Sequence, residues 1–211
     1  MARNIGPKCR LCRREGMKLF LKGERCHTVK CAIAKRGDNY PPGGRMMKRG
    51  RGSEYGAQLR ERQRLKRIYG MLERQFRLAF GRAQMKRGNT GAALLQIVER
   101  RLDNVVRQGG FGLGPASARQ IVVHGMVLVN GRKVDRPSYL VRPGDVVTFK
   151  TKEKPRQFLA QVLEKTKVFQ QPPSWIERNE EQFSLKVLQL PSREEFPFQI
   201  REQLIVEGAS K

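Results

Sequence analysis

Cys9, Cys12, Cys26 and Cys31 are the only cysteines in the chain, and they follow the pattern C-x2-C-x13-C-x4-C. Two close pairs separated by a short spacer are what a tetrahedral thiolate site requires. Each pair closes a tight turn, and the spacer brings the pairs together. The surrounding segment is too small and polar to fold on an apolar core, so a metal would supply its folding free energy. Lys8, Arg10, Arg13, Arg14 and Arg25 lie among the cysteines and favour their thiolate forms. The expectation is one zinc ion, with an iron–sulfur cluster as the alternative. Two disulfides or four free thiols are the metal-free readings. The N-terminus MARNIGPKCRLC has no apolar signal core, which argues against the oxidising compartments where disulfides persist. His27 sits beside Cys26. It reads as a surface group, because four cysteines already fill such a site.

A second set of chemistry-bearing residues lies between Glu99 and Lys150. Arg100, Arg101, Asn104, Arg107, Arg119, Gln120, His124, Asn130, Arg132 and Lys133 alternate there with apolar positions. Cations and amide or imidazole donors with nothing acidic to match read as a nucleic-acid face. The elements that must position them are two short helices and a small antiparallel sheet. Leu102, Val105 and Val106 recur at helical spacing up to Gly109-Gly110. Gly114-Pro115 opens a second helix, where proline costs no hydrogen bond, and Gly125 suits the left-handed residue past its end. Met126 to Val129 is a short strand. Asn130-Gly131 then signals a type I′ hairpin, because both central residues need positive φ. Arg142-Pro143-Gly144-Asp145 makes another turn before Val146 to Phe149.

Charge supports the same reading. The net charge is +25 over 211 residues, too much self-repulsion for a chain without a polyanionic partner. It is also uneven: residues 1–169 are strongly cationic, whereas residues 170–211 carry 5 basic and 7 acidic side chains. No stretch approaches the ~20 apolar residues of a membrane span. The cations are spread over folded, glycine-punctuated elements, so no membrane partner is expected. A cytoplasmic location follows.

Residues 38–52, DNYPPGGRMMKRGRG, cannot bury a core and read as a linker whose Arg45, Lys48, Arg49 and Arg51 order on RNA. Ser53 to Gly88 reads as a helical pair with Ser53 as N-cap. Tyr55, Leu59, Leu65, Ile68 and Tyr69 form one apolar stripe, and Leu72, Phe76, Ala79, Phe80 and Ala83 form the next. Arg60, Arg62, Arg64, Lys66 and Arg67 face away from the first stripe and are interrupted only by Glu61. Solvated faces usually mix signs, so this face is expected on phosphates. PRQFLAQVLEKTK suggests a helix with Phe158, Val162 and Leu163 inward, and Trp175 is expected in a core.

The stretch LDNVV…GF…ARQ-V-HG…VNG…PSY-V-PGD resembles the helix-helix-hairpin RNA-binding domain named after ribosomal small-subunit protein four. SEYG-QLRE-Q-L-R-YG, LLQIVERRLDNVV, the cysteine-rich start ending in YPPG, and the close LPSREEFPFQIREQLIVE extend the resemblance to nearly the whole bacterial family. The resemblance implies an α+β protein: a mostly helical domain in two parts, with the RNA-binding domain inserted. The expected divisions are a four-cysteine segment at 1–44, helical residues 45–98, the RNA-binding domain at 99–184, and a completing segment at 185–211. It implies a structural role in the small ribosomal subunit. The target would be a multi-helix junction of the 16S rRNA, whose early binding nucleates assembly of the subunit body. Neighbouring ribosomal proteins, a part in decoding accuracy, and contact with mRNA on its way into the subunit are implied as well, with Arg45, Lys48 and Arg49 near the mRNA. Expected RNA contacts also include Arg3, Lys8, Arg10, Arg13, Arg14, Tyr55, Arg60, Arg64 and Arg67.

Departures from the family pattern are PGGRM in the linker, Gly112-Leu113-Gly114-Pro115 at the second short helix, His124-Gly125-Met126, and Gly208-Ala209 near the end. They bear on individual contacts rather than on membership. No constellation for catalysis is present: there are only two histidines, and GGFGLG lacks the lysine and preceding strand of a phosphate loop. The rivals are an RNA-modifying or tRNA-binding protein that carries the same domain, for which no catalytic segment remains, and a zinc-dependent DNA regulator. No DNA partner is expected.

Overall fold

The computed structural model describes residues 4–36, 41–43, 53–150 and 153–210. Arg3 and the linker cations Arg45, Lys48, Arg49 and Arg51 lie outside the described residues. The chain divides into two compact units, Met1–Leu95 with Phe198–Lys211, and Gln96–Pro197.

The first unit is helical. Helix α1 (Lys8–Glu15) stops at Gly16, whose φ of 69° is left-handed. Short α2 (Glu24–His27) and α3 (Ala32–Arg36) follow. Helix α4 (Glu54–Ile68) starts where the Ser53 hydroxyl accepts the Gly56 N–H at 3.1 Å, satisfying one of the free donors of its first turn. Helix α5 (Glu73–Gln84) buries Phe76, Ala79, Phe80 and Ala83. Helix α6 (Thr90–Glu99) starts at Asn89, whose side-chain oxygen accepts from the N–H groups of Gly91 and Ala92. The C-terminal helix α10 (Glu202–Ser210) lies along α4 and fully buries Ile205. A Cβ on Gly208 would stand 2.9 Å from Gln58 Cβ, so the small residue lets the two helices approach.

The second unit begins with the last turn of α6, then α7 (Leu102–Gln108) and α8 (Pro115–Val123). Five antiparallel strands follow: β1 (Val127–Val129), β2 (Arg132–Lys133), β3 (Val146–Phe149), β4 (Ile176–Asn179) and β5 (Ser184–Val187), in the order β2-β1-β3-β5-β4. Asn130 and Gly131 have φ of 49° and 79°, the mirror-image turn that their types favour. The sheet and helices enclose Leu102, Val106, Phe111, Val122, Val147 and Trp175 in one core.

Two expectations need correction. The division at residues 184 and 185 falls inside β5, which pairs with both β3 and β4, so the second unit runs to Pro197. In helix α9 (Glu153–Lys167), Phe158 is 44 % exposed, and Leu159 joins Val162 and Leu163 inside instead. In the 109–114 loop, Gly109 and Gly112 serve close approach within the protein. A Cβ on Gly109 would meet Leu185, and one on Gly112 would stand 2.7 Å from Ala118 Cβ and 2.9 Å from its Cα and N. The Ala118 backbone cannot swing aside as a side-chain tip can. Gly112→Ala is therefore expected to cost about 1–3 kcal/mol, read as a lower midpoint of urea unfolding.

Candidate nucleic-acid interface

Cys9 and Cys12 stand one turn apart on α1, Cys26 is on α2, and Cys31 directly precedes α3. All four are free; three are buried and Cys9 is half-buried. They line one small cavity together with Leu21 and Ile33. The Lys22 backbone N–H donates to Cys26 Sγ at 3.4 Å, and the Leu19 N–H donates to Cys12. Burial pushes both thiols up, while these N–H groups favour thiolate and pull them down. Among the described residues, no three or more His, Cys, Asp or Glu side chains are gathered as a metal-holding group. The four sulfurs are of the kind a thiolate-bound metal takes, and two of them have N–H support, but they are not drawn in around an ion. His27 is exposed and stacks on Phe20, with ring centres 4.9 Å apart. Arg10 and Arg14 are exposed on this segment, and Lys8 and Arg13 are half-buried. The Arg13 guanidinium donates to the Pro41 carbonyl at 3.2 Å.

The cations of α4 are placed otherwise than their helical wheel suggests. Arg60, at 3.4 Å, and Arg67 both meet Glu15, whose carboxylate is fully buried. Arg62 and Lys66 meet Glu73, the latter at 2.7 Å, and Arg64 meets Glu61 at 2.5 Å. Three carboxylates therefore hold five cations, and the expected phosphate-facing surface is an internally paired layer. Glu15 and Glu73 lie on α1 and α5, which no reading of α4 alone could reveal. Tyr55, at the start of α4, is 70 % exposed and open to a partner.

In the second unit the expected contact residues separate into two groups. Arg101, Asn104, Arg107 and Arg119 are buried rather than outward-facing. Arg101 donates through two nitrogens to Asp103 at 3.1 and 3.0 Å, and Arg119 reaches the same carboxylate at 3.3 Å. Asn104 donates to the Glu99 carboxylate, as does Gln108 at 2.6 Å, and Arg107 donates to Asn104 Oδ1 at 2.8 Å. This network pins α7. Polar residues between apolar ones on a short helix look outward until other elements cover both sides.

The other group is open. Gln120, His124, Arg132 and Lys133 are exposed, and Arg100 is half-buried. Gln120 and His124 pair at 3.3 Å on the outer end of α8. The stem of Lys133 crosses Gly125, where a Cβ would fall 2.3 Å from its Cε. The hairpin cation is thereby set against the turn that ends α8. Asn130 is exposed but committed to the turn: it donates to Asp145 at 2.8 Å and accepts from the Val146 N–H at 2.9 Å. Sequence reasoning missed Arg136, Tyr139 and Arg142, which are exposed on the segments flanking the hairpin. Burial and then the neighbouring Arg142 lower the Arg100 guanidinium, with Asp145 opposing them. The signal for Arg142 was its place in a Pro-Gly turn, which must lie at the surface.

Residues 3–99 match the family described as ribosomal protein S4/S9 N-terminal domain, and residues 100–147 match the S4 domain. The small ribosomal subunit protein uS4 of Thermoanaerobacter sp. (strain X514) is 49% identical over 211 residues, covering all of both chains. That of Thermodesulfovibrio yellowstonii is 50% identical over 213 residues, and uS4A of Clostridium botulinum is 51% identical over 211, again with full coverage of both chains. Identity at about half of the residues over the full length of both chains, with family matches over residues 3–99 and 100–147, places this chain in the uS4 family of small ribosomal subunit proteins.

Proposed function

We propose that the chain is a non-catalytic structural protein of the small ribosomal subunit that binds 16S ribosomal RNA. The observation that carries this is the full-length similarity to uS4 proteins, from end to end and without a gap large enough to hold a catalytic domain. The exposed cations of the second unit supply the chemistry: counterion release drives affinity, and shape, phosphates and 2′-hydroxyls are what A-form RNA offers to side chains. The finer reading is that the target is a multi-helix junction, that binding nucleates assembly of the subunit body, and that the linker cations lie near mRNA and bear on accuracy. Neighbouring ribosomal proteins and a cytoplasmic location belong to the same reading. One zinc ion held by Cys9, Cys12, Cys26 and Cys31 would cross-link a segment with little core of its own; an iron–sulfur cluster is the alternative.

Competition between a 16S fragment and duplex DNA, at two salt concentrations, tests this function. Strong preference for the RNA is expected, and equal affinity for DNA would defeat the reading. Within the RNA-binding unit, Arg132→Ala with Lys133→Ala is expected to make log affinity less steep in log salt by roughly 2 without selectivity for RNA sequence.

A further inference from the structure

We infer that the outward face of α5, rather than that of α4, is where the first unit meets the RNA backbone. This rests on the RNA-binding reading above and adds a surface to it. Helix α5 turns Phe76, Ala79, Phe80 and Ala83 inward. On the opposite side Arg74, Leu78, Arg82 and Met85 are exposed. Counting about 100° per residue, these four fall within one arc of roughly 80°. Arg87 is exposed in the turn that follows.

The two helices differ in what holds their cations. Each basic side chain of α4 from Arg60 to Arg67 has a carboxylate partner. Arg74, Arg82 and Arg87 make no ion pair among the described residues. The one carboxylate of α5, Glu73, is already shared by Arg62, Lys66 and Arg77. An unneutralised arginine row on a chain of +25 net charge selects a polyanion. Arg74 and Arg82 are eight residues apart, about 12 Å along the helix axis, so they address separate phosphates. Leu78, 58 % exposed, stands between them, and Met85, 88 % exposed, stands between Arg82 and Arg87. Bracketed by cations, these apolar groups are placed to lie on sugar or base faces while the guanidiniums take the phosphates. An acidic protein surface is the other occupant such a face could take. The pairing of every α4 cation from Arg60 to Arg67 against the open row on α5, in a family that binds RNA, favours the nucleic acid.

The test is a full-length variant, R74Q/R82Q/R87Q. Glutamine removes charge while keeping helix propensity, and the three arginines are surface groups, so folding should be unchanged. Binding to a 16S 5′-domain fragment is measured from 50 to 300 mM salt. The expected result is a slope of log affinity against log salt shallower by about 2–3, at an unchanged unfolding midpoint. Should the triple variant fold poorly, the single variants serve, each expected to change the slope by about 1. Unchanged slope and affinity overturn the inference. So does intact binding to naked RNA together with lost association with other small-subunit proteins, which would make the face a protein dock. Failure of the RNA-binding reading itself shows separately, as loss of RNA-over-DNA preference in the unaltered chain.

Discussion

Asp103→Ala should destabilise the second unit by about 3–5 kcal/mol, the cost of stripping the shared partner from buried cations. The Asp103 side chain is 8% exposed, and the two guanidiniums that converge on it, from Arg101 and Arg119, are 6% and 9% exposed. Its Oδ1 also accepts the Asn104 N–H at 3.1 Å in the first turn of α7. Alanine would leave two enclosed positive charges facing each other with one fewer acceptor. Asp103→Asn keeps the shape and part of the hydrogen bonding, so a smaller loss is expected. The informative comparison is the triple variant Arg101→Met, Asp103→Leu, Arg119→Met. Replacing a buried ionic cluster as a set by apolar groups of similar size is often close to neutral. Guanidinium chloride unfolding of the variants measures the difference. RNA affinity adds a second reading: if Arg101 and Arg119 act only through the fold, the triple variant binds the 16S fragment nearly as well as the unaltered chain. A stable triple variant with binding lost would return both arginines to the contact surface.

That network shows where reading the chain stops short. Local signals carried the inserted domain well: Gly114-Pro115 and Gly125 bracket α8, Asn130-Gly131 turns the hairpin, and Trp175 is buried. Each depends on backbone conformation or apolarity, properties of the residues themselves. Sidedness was harder. Arg101, Asn104 and Arg107 alternate with Leu102, Val105 and Val106, yet both sets are buried, because covering elements come from distant parts of the chain. The pairing of the α4 cations was hidden for a related reason. Their partners Glu15 and Glu73 are supplied by other helices, across 45 residues in the case of Arg60 and Glu15. Strand β4 went unseen, and most of β5 was assigned to the completing segment at 185–211, since strands of four residues carry little periodicity and the pairing of β5 with β3 is long-range. The linker cations lie outside the described residues, so their expected contacts rest on composition and the resemblance alone.

Stripping the proposed metal should have the largest effect in the first unit. Buried apolar side chains between residues 4 and 36 are few, Leu19 and Leu21 beside the cysteines themselves, so the segment has little else to hold it. Structural zinc in small modules contributes on the order of 10 kcal/mol to folding at neutral pH. A chelator, or Cys26→Ser, is therefore expected to unfold residues 8–36, read as lost amide-exchange protection confined at first to that segment. The effect then reaches α4. Glu15 lies three residues beyond Cys12, and when α1 loosens, Arg60 and Arg67 lose the buried carboxylate that holds them. Exchange in the middle of α4 should rise as a consequence, and Glu15→Gln should reproduce that part without releasing metal. The sign of the pH dependence follows from the thiols. Burial raises Cys12 and Cys26, so they carry protons near neutrality when no metal is present. A ligating sulfur must be deprotonated, so loading releases protons and apparent affinity falls as pH falls. Elemental analysis of freshly purified reduced protein should find about one equivalent of zinc. Less than half an equivalent of zinc or iron, with exchange protection of residues 8–36 intact, would remove the metal from this account and leave the four thiols as packing groups.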